Sequence, residues 1–216
     1  MKKKLLILTG PQGSGNHLMS KVFSVHPEVS GWEELLESYW IGHDEEFFAP
    51  YWSGEKELIP SLFEGKKYWV TSISVPFIND GVEVIPAMLA FIKKVQSFDI
   101  DVVLGVIVRD QNIVRHQQKR VREKVTLPLA IELYSDLMDQ SPCPIHFLDF
   151  EGLYLYKSHW LRWISTLLAF PVAYDHPKIL EILSSDSNQK YVSFVDDYWL
   201  DQEVKKACTP KNLRKS

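Results

Sequence analysis

The feature that most constrains the fold is the N-terminal run Lys4-Leu5-Leu6-Ile7-Leu8-Thr9-Gly10-Pro11-Gln12-Gly13-Ser14-Gly15-Asn16-His17-Leu18. A short apolar strand, Leu5–Leu8, passes into a glycine-rich loop, and the loop into a helix over His17–Val25 with Leu18, Val22 and Val25 on one face. In an α/β sheet this strand–loop–helix unit sets a row of backbone N–H groups at the positive end of a helix, where they can cradle phosphate. Gly10 and Gly15 have the spacing of a P-loop, G-x-x-x-x-G-K-[ST], but Asn16 stands in place of the lysine and His17 in place of the magnesium-binding hydroxyl. A cradle without those two side chains argues against ordinary ATP hydrolysis. Gly10, Gly13 and Gly15, together with Ser14, exceed what a tight strand–helix turn requires, so the loop reads as phosphate-binding.

Beyond the loop the pattern alternates strand and helix. This predicts an α/β fold, a P-loop-type three-layer α/β/α arrangement with a mostly parallel central sheet. Val102–Val108 reads as a strand buried on both faces, Tyr68–Val75 as a strand ended by Pro76, and Ile145–Phe150 as another. Helices are expected over Val84–Phe98, with the stripe Ile85, Met88, Leu89, Ile92 and Val95, and over Asn112–Lys124. Others are expected from near Pro128 through Met138, over Ser158–Phe170 and over Pro177–Leu183.

Residues Pro27–Pro60 have no clean period and read as an irregular insertion or lid within a single domain spanning 1–216. Their rings, Trp32, Tyr39, Trp40, Phe47, Phe48, Tyr51 and Trp52, have two readings: core of a segment folded over the sheet, or an acceptor-binding lid that stacks on a sugar or aromatic alcohol. His43-Asp44-Glu45-Glu46 reads as a solvated acidic loop whose spacing matches no common metal site. The polar, basic end Lys205–Ser216 is a frayed tail or a strap over a ligand.

Charge and cysteine usage narrow the partners. A net charge of −4 over 216 residues gives no broad nucleic-acid footprint, and the cluster Lys119, Arg120, Arg122 and Lys124 reads as a local patch. Cys143 and Cys208 form neither a disulfide framework nor a zinc spacing, which suits a reducing compartment. Lys2–Lys4 mimic the start of a signal peptide, but the apolar run ends at Leu8, and no run is long enough to span a membrane. The expectation is a soluble, cytoplasmic protein with no nucleic-acid and no membrane partner and with no oligomeric state specified.

Three further segments follow the loop in order: Ser24-Val25-His26-Pro27-Glu28-Val29; a strand ending in Val108-Arg109-Asp110; and a strand ending in Asp149-Phe150-Glu151-Gly152-Leu153, followed by a helix with Leu167-Leu168-Ala169-Phe170-Pro171. With the loop they resemble the sulfotransferase family over about residues 4–172. The members of that family use 3′-phosphoadenosine 5′-phosphosulfate as sulfuryl donor. The resemblance implies that the donor's phosphosulfate lies on the N–H groups of Gly13, Ser14, Gly15, Asn16, His17 and Leu18. It implies that Arg109 grips the 3′-phosphate, with Gln117 and Arg115 close by. It implies no metal, and as acceptor a saccharide or other small hydroxyl or amine compound.

The sequence departs from the family at several of these positions. Gly13 occupies the place of the loop lysine or arginine, so His17, or Lys21 one turn along the helix, is the candidate cation at the reacting group. Gln111 replaces a proline, and Gln117 stands for the serine eight residues beyond the arginine. Ser74, in Ile73-Ser74-Val75-Pro76, stands where cytosolic relatives carry a histidine base. Other branches use a glutamate soon after the first helix, which points to Glu33 or Glu34, with Glu33 preferred. Two other functions fit the same loop: a degenerate P-loop kinase of small molecules or nucleotides, and a non-catalytic binder of adenosine phosphates or anions.

Overall fold

In a computed structural model, which describes residues 2–38, 41–79 and 81–184, the sheet is built around the N-terminal strand. Strand β1 (Lys3–Pro11) pairs in parallel with β3 (Tyr68–Val75) on one side and β6 (Ile100–Val108) on the other. The short β2 (Val29–Ser30) and β7 (Ile145–Asp149) form the edges, so the order is β2-β3-β1-β6-β7, parallel throughout. Parallel neighbours need crossovers, and these cover both faces of the sheet. Leu5, Leu6, Ile7 and Leu8 are therefore all 0% exposed, and the apolar run carries no alternation.

The two faces follow from the period-2 geometry of β1. Leu6 and Leu8 pack with α1 (Asn16–Ser24), α6 (Phe150–Leu168) and α7 (Pro177–Ser184) through Phe23, Leu161, Ile164 and Ile179. Leu5 and Ile7 face α3 (Met88–Gln96) and α5 (Leu127–Gln140) through Ile92, Ala130 and Leu137. The expected α/β architecture with a mostly parallel sheet is the one found.

The segment expected to be an insertion or lid is built from 3₁₀ turns at Glu33–Leu36 and His43–Glu45 and the single-turn helix α2 (Ala49–Trp52). Trp32, Phe48 and Trp52 are buried, whereas Phe47 is 43% exposed. Trp52 stacks on Phe91 with ring centroids 3.7 Å apart, and its Nε1 donates to Thr71 Oγ1 at 3.1 Å. For these buried rings the core reading holds; Tyr39 and Trp40 lie outside the described residues.

Several boundaries are corrected. The helix expected over Val84–Phe98 begins only at Met88, because Pro86 disfavours a helical residue before it. The residues ahead of it form an antiparallel hairpin of β4 (Phe77–Asn79) and β5 (Val82–Val84), and Ile85 is 45% exposed instead of lying on the apolar stripe. Phe150 opens α6 instead of closing β7, because Asp149 caps the helix by accepting from Glu151 N at 3.0 Å. The helix expected from Ser158 thus starts eight residues earlier and runs through a kink at Lys157 (φ 46°, ψ −120°). Cys143 is buried with a free thiol, while Cys208 lies outside the described residues. Among the described residues no helix is long and apolar enough to cross a membrane.

Candidate functional site

β1 ends at Pro11, the Ser14 amide donates to Pro11 O at 3.0 Å, and α1 begins at Asn16 behind Gly15. Gly13 and Gly15 have φ of 89° and 107°, a region that side chains rarely adopt. Space selects glycine at both places as well. A Cβ on Gly15 would lie 2.2 Å from Phe150 Cε2, and one on Gly13 would lie 2.8 Å from Gln117 Oε1.

The polar side chains of the loop turn inward. Ser14 is 0% and Asn16 4% exposed. Asn16 Nδ2 donates to Ser74 Oγ at 2.8 Å and to Gly10 O at 3.3 Å, and Ser14 Oγ donates to Asn16 Oδ1 at 3.2 Å. Asn16 thereby ties the loop to the ends of β1 and β3, and Ser74, at the family's base position, serves as its acceptor. The first turn of α1 has no side-chain cap and no acidic residue. At α4 (Gln111–Arg122), by contrast, Asp110 caps the amides of Asn112 and Ile113. Asn16→Ala removes all three buried bonds and leaves Gly10 O, Ser14 Oγ and Ser74 Oγ without them. It is expected to cost about 1–3 kcal/mol, read as a lower denaturation midpoint.

α4 braces the loop from the other side. Gln118, 0% exposed, donates to Gln12 O at 2.8 Å and accepts from the amides of Thr126 and Leu127 at 2.8 and 3.0 Å. Thr126 Oγ1 completes the bridge to Gln12 Oε1 at 3.1 Å. Sequence reasoning named Gln117 and missed Gln118. The available signal was position: Gln118 follows Val114 by one helical turn and shares its buried face. Gln117 packs over Gly13, and Arg115 is exposed.

Arg109 leaves the end of β6 with its side chain only 4% exposed. Its Nη1 donates to Gly13 O at 3.1 Å, its guanidinium lies 4.4 Å from the Phe150 ring centroid, and its Nε is 3.7 Å from Glu151 Oε1. Arg109, Phe150 and Gly15 form one contact. The guanidinium rests on the ring that the loop itself rests on.

His17 and Lys21, one turn apart on α1, both reach the segment above it. The His17 Nε2 pairs with Ile41 O at 2.6 Å, and Lys21 Nζ donates to Ser38 O at 2.6 Å. Burial lowers both pKa values below their ordinary range. Glu33 and Glu34 are exposed, and Glu33 accepts from Ser30 Oγ at 2.7 Å.

The solvated-loop expectation for residues 43–46 needs a correction. Asp44 and Glu45 are exposed, but Glu46 is 2% exposed, and burial pushes its carboxyl up to about 8. The Glu34 charge adds to this, while Thr71 and the amides of Phe48 and Ser72 act the other way. A folded-state value raised from 4.5 means that folding takes up a proton in this window. That contribution to stability is present below about 4.5 and is lost as pH climbs through about 8. Glu46→Gln is expected to flatten the decline of the denaturation midpoint across that interval. Among the described residues no group of three or more His, Cys, Asp or Glu side chains is placed to hold a metal.

No protein-family model matches the chain, and no curated protein matches it. Among solved structures, the fold is similar to the sulfotransferase domain of the Synechococcus PCC 7002 olefin synthase, with a TM-score of 0.51 and 12% identity over 89% of this chain and 84% of that one. The sulfotransferase domain from the curacin biosynthetic pathway aligns at a TM-score of 0.49 with 12% identity, over 84% of this chain and 78% of that one. Mouse sulfotransferase SULT7A1, complexed with PAP, aligns at 0.44 with 11% identity over 88% and 66%. The chain has the sulfotransferase fold, as the resemblance in sequence implied.

Proposed function

We propose that this chain is a divergent sulfotransferase that moves a sulfuryl group from 3′-phosphoadenosine 5′-phosphosulfate to a hydroxyl or amine acceptor. The observation that carries the reading is the first turn of α1. Its amides have no side-chain cap and no acid beside them, and they stand at the C-terminal end of the central strand behind a loop that admits only glycine at two places. Open α/β sheets bind ligands at that end of their strands. The fold shared with the olefin-synthase domain supports the same reading by analogy.

In this reading the amides from Gly13 to Leu18 hold the donor's phosphosulfate, and Arg109 and Gln118 fix the carbonyls of Gly13 and Gln12 so that those amides stay aimed. The donor supplies the sulfuryl group. The chain supplies positioning and neutralisation of charge on the departing phosphate. His17 and Lys21, bonded to Ile41 O and Ser38 O, remain the candidate cations beside the reacting group. Glu33 in the adjoining turn is assigned the acceptor's proton. The acceptor is a saccharide or small alcohol, the protein is a single-domain cytoplasmic enzyme, and neither nucleic acid nor membrane is a partner.

The test is transfer of radiolabelled sulfuryl from the donor to a panel of sugars, phenols and amines without added metal. Transfer that Glu33→Gln lowers at least tenfold supports the whole assignment. Unchanged turnover in Glu33→Gln removes the base and leaves the donor site. Transfer of phosphate from magnesium–ATP moves the protein to the kinase reading.

A further inference from the structure

β7 closes one side of the sheet, and among the described residues no strand lies beyond it. Leu104 N donates to Pro144 O at 3.0 Å. Backbone groups alternate sides along a strand, so those of His146 and Leu148 also face β6. The N–H and C=O groups of Ile145 and Phe147 then point outward from the sheet. Folded proteins blunt such edges with a lysine, a proline, a bulge or a covering element. The run Ile145-His146-Phe147-Leu148 carries no lysine and no proline, and it pairs with β6 in unbroken register.

The helices on both faces turn apolar side chains toward this edge. On one face, a cavity of about 240 Å³ between α5 and the ends of β6 and β7 is lined by Val108, Ile131, Met138 and Phe147 among others. Ile131 and Met138, seven residues apart, share one stripe of α5, and the Phe147 ring beside the cavity is 50% exposed. The acids of α5, Glu132, Asp136 and Asp139, lie on its outer face and leave this flank uncharged. On the other face, Trp163 and Leu167 of α6 lie one turn apart and continue a stripe from the buried Trp160. Arg162 reaches Tyr174 and Asp175 on the side toward α7, whose Lys178 acts on Lys21 of α1. Trp163 and Leu167 therefore lie on the opposite side of α6, toward the free edge of β7. A large apolar side chain about half exposed presents on the order of 100 Å², so these six residues together present roughly 500–600 Å². A standard interface buries about 800 Å² per partner, of which about 65% is apolar in homodimers, and the two amounts agree.

We propose that two copies of this chain associate through their β7 edges, antiparallel about a twofold axis at Phe147, into one continuous sheet. The outward N–H and C=O groups of β7 are complementary to another strand, and a twofold sets the same surface on both sides. Phe147 and its counterpart exchange two backbone hydrogen bonds. Their rings, on the α5 face, fill the two cavities that flank the axis. On the other face the α6 helices meet through Trp163 and Leu167. The occupant is a second copy because one surface holds both the protruding ring and the apolar space that receives it, with no charge on the flank to repel its own image. The pairing uses the sheet edge and not the loop Gly10–Leu18, so it stands apart from the donor-site reading.

The test is sedimentation velocity of the full chain from about 1 to about 100 μM, because assembly follows mass action. The expected species at the upper end has twice the mass of the chain. Phe147→Lys, at a half-exposed position, puts a charge on the edge and is expected to weaken association at least about tenfold. Leu180→Lys, equally exposed but on α7, is expected to leave association unchanged. In the native protein, hydrogen exchange at the amides of Ile145 and Phe147 is expected to slow as concentration rises. If Phe147→Lys does not fold, Met138→Lys and the native exchange rates decide. A chain that stays monomeric throughout, or a dimer that withstands both Phe147→Lys and Met138→Lys, overturns the proposal. Exchange at Ile145 and Phe147 that is independent of concentration, whether fast or slow, overturns it as well.

Discussion

Gly15→Ala is expected to destabilise the protein by about 2–5 kcal/mol and to abolish anion binding at the loop. Two physical costs add. A φ of 107° is strained for any residue with a Cβ, at about 1–2 kcal/mol. The new methyl would also sit 2.2 Å from Cε2 of Phe150, a residue only 1% exposed. Overpacking of that kind costs about 1–3 kcal/mol. Either the ring or the loop must shift, and the loop carries the amides proposed to face the donor. Denaturant titration reads the loss directly. Phe150→Leu in the same background is expected to recover part of the clash cost and none of the backbone cost. The two changes therefore deviate from additivity, as contacting residues do. A Gly15→Ala protein of native stability contradicts the packing described here.

Arg109→Ala is expected to lower the affinity for 3′,5′-adenosine bisphosphate by about ten- to a hundredfold. The guanidinium is nearly sealed from solvent, donates to Gly13 O at 3.1 Å and lies on the Phe150 ring. A hydrogen bond from a charged donor contributes about 1.5–3 kcal/mol to the loop conformation that presents the amides, and affinity falls with the population of that conformation. Removing it also frees the Glu151 carboxylate, so the electrostatic balance near the loop shifts against an anion. Arg109→Lys is expected to fall between native and alanine. A point-charge ammonium cannot lie flat on the ring while reaching both Gly13 O and Glu151. Isothermal titration of the three proteins gives the order. Full affinity in Arg109→Ala would show that the loop holds its shape without the arginine.

The elements that were legible in the sequence are those whose side chains are buried by geometry alone. Tyr68–Val75 is found with the bounds read from its sequence, Leu5–Leu8 forms the interior of a longer central strand, and Val102–Val108 the C-terminal part of another. A strand buried on both faces leaves a continuous apolar run. The first half of α6 was missed because Leu155 and Tyr156 are 72% and 63% exposed and break any apolar stripe, while the cap that starts the helix lies in Asp149. The β4–β5 hairpin has only three paired positions, too few for alternation to register.

At the site, the glycine loop was legible because its demand is on the backbone. The fate of the charged groups was not. Glu46 sits in an acidic run and becomes buried only through packing against β3, a tertiary event with no local signature. Sequence order placed Arg109 at the C-terminal end of β6, where the structure has it, but not its contact with Gly13 O. Lys21 shares a helix face with His17, as its spacing predicts, yet its ammonium is spent on Ser38 O.

The central claim is that the loop Gly10–Leu18 binds the phosphates of an adenosine 3′-phosphate 5′-phosphosulfate donor. Calorimetric titration of the native protein with 3′,5′-adenosine bisphosphate, beside ATP with magnesium, tests it most directly. The account predicts saturable binding of the bisphosphate without metal, weaker binding of magnesium–ATP, and a roughly ten- to hundredfold weakening of the former in Arg109→Ala. Preferential binding of magnesium–ATP, or binding of neither nucleotide, contradicts it.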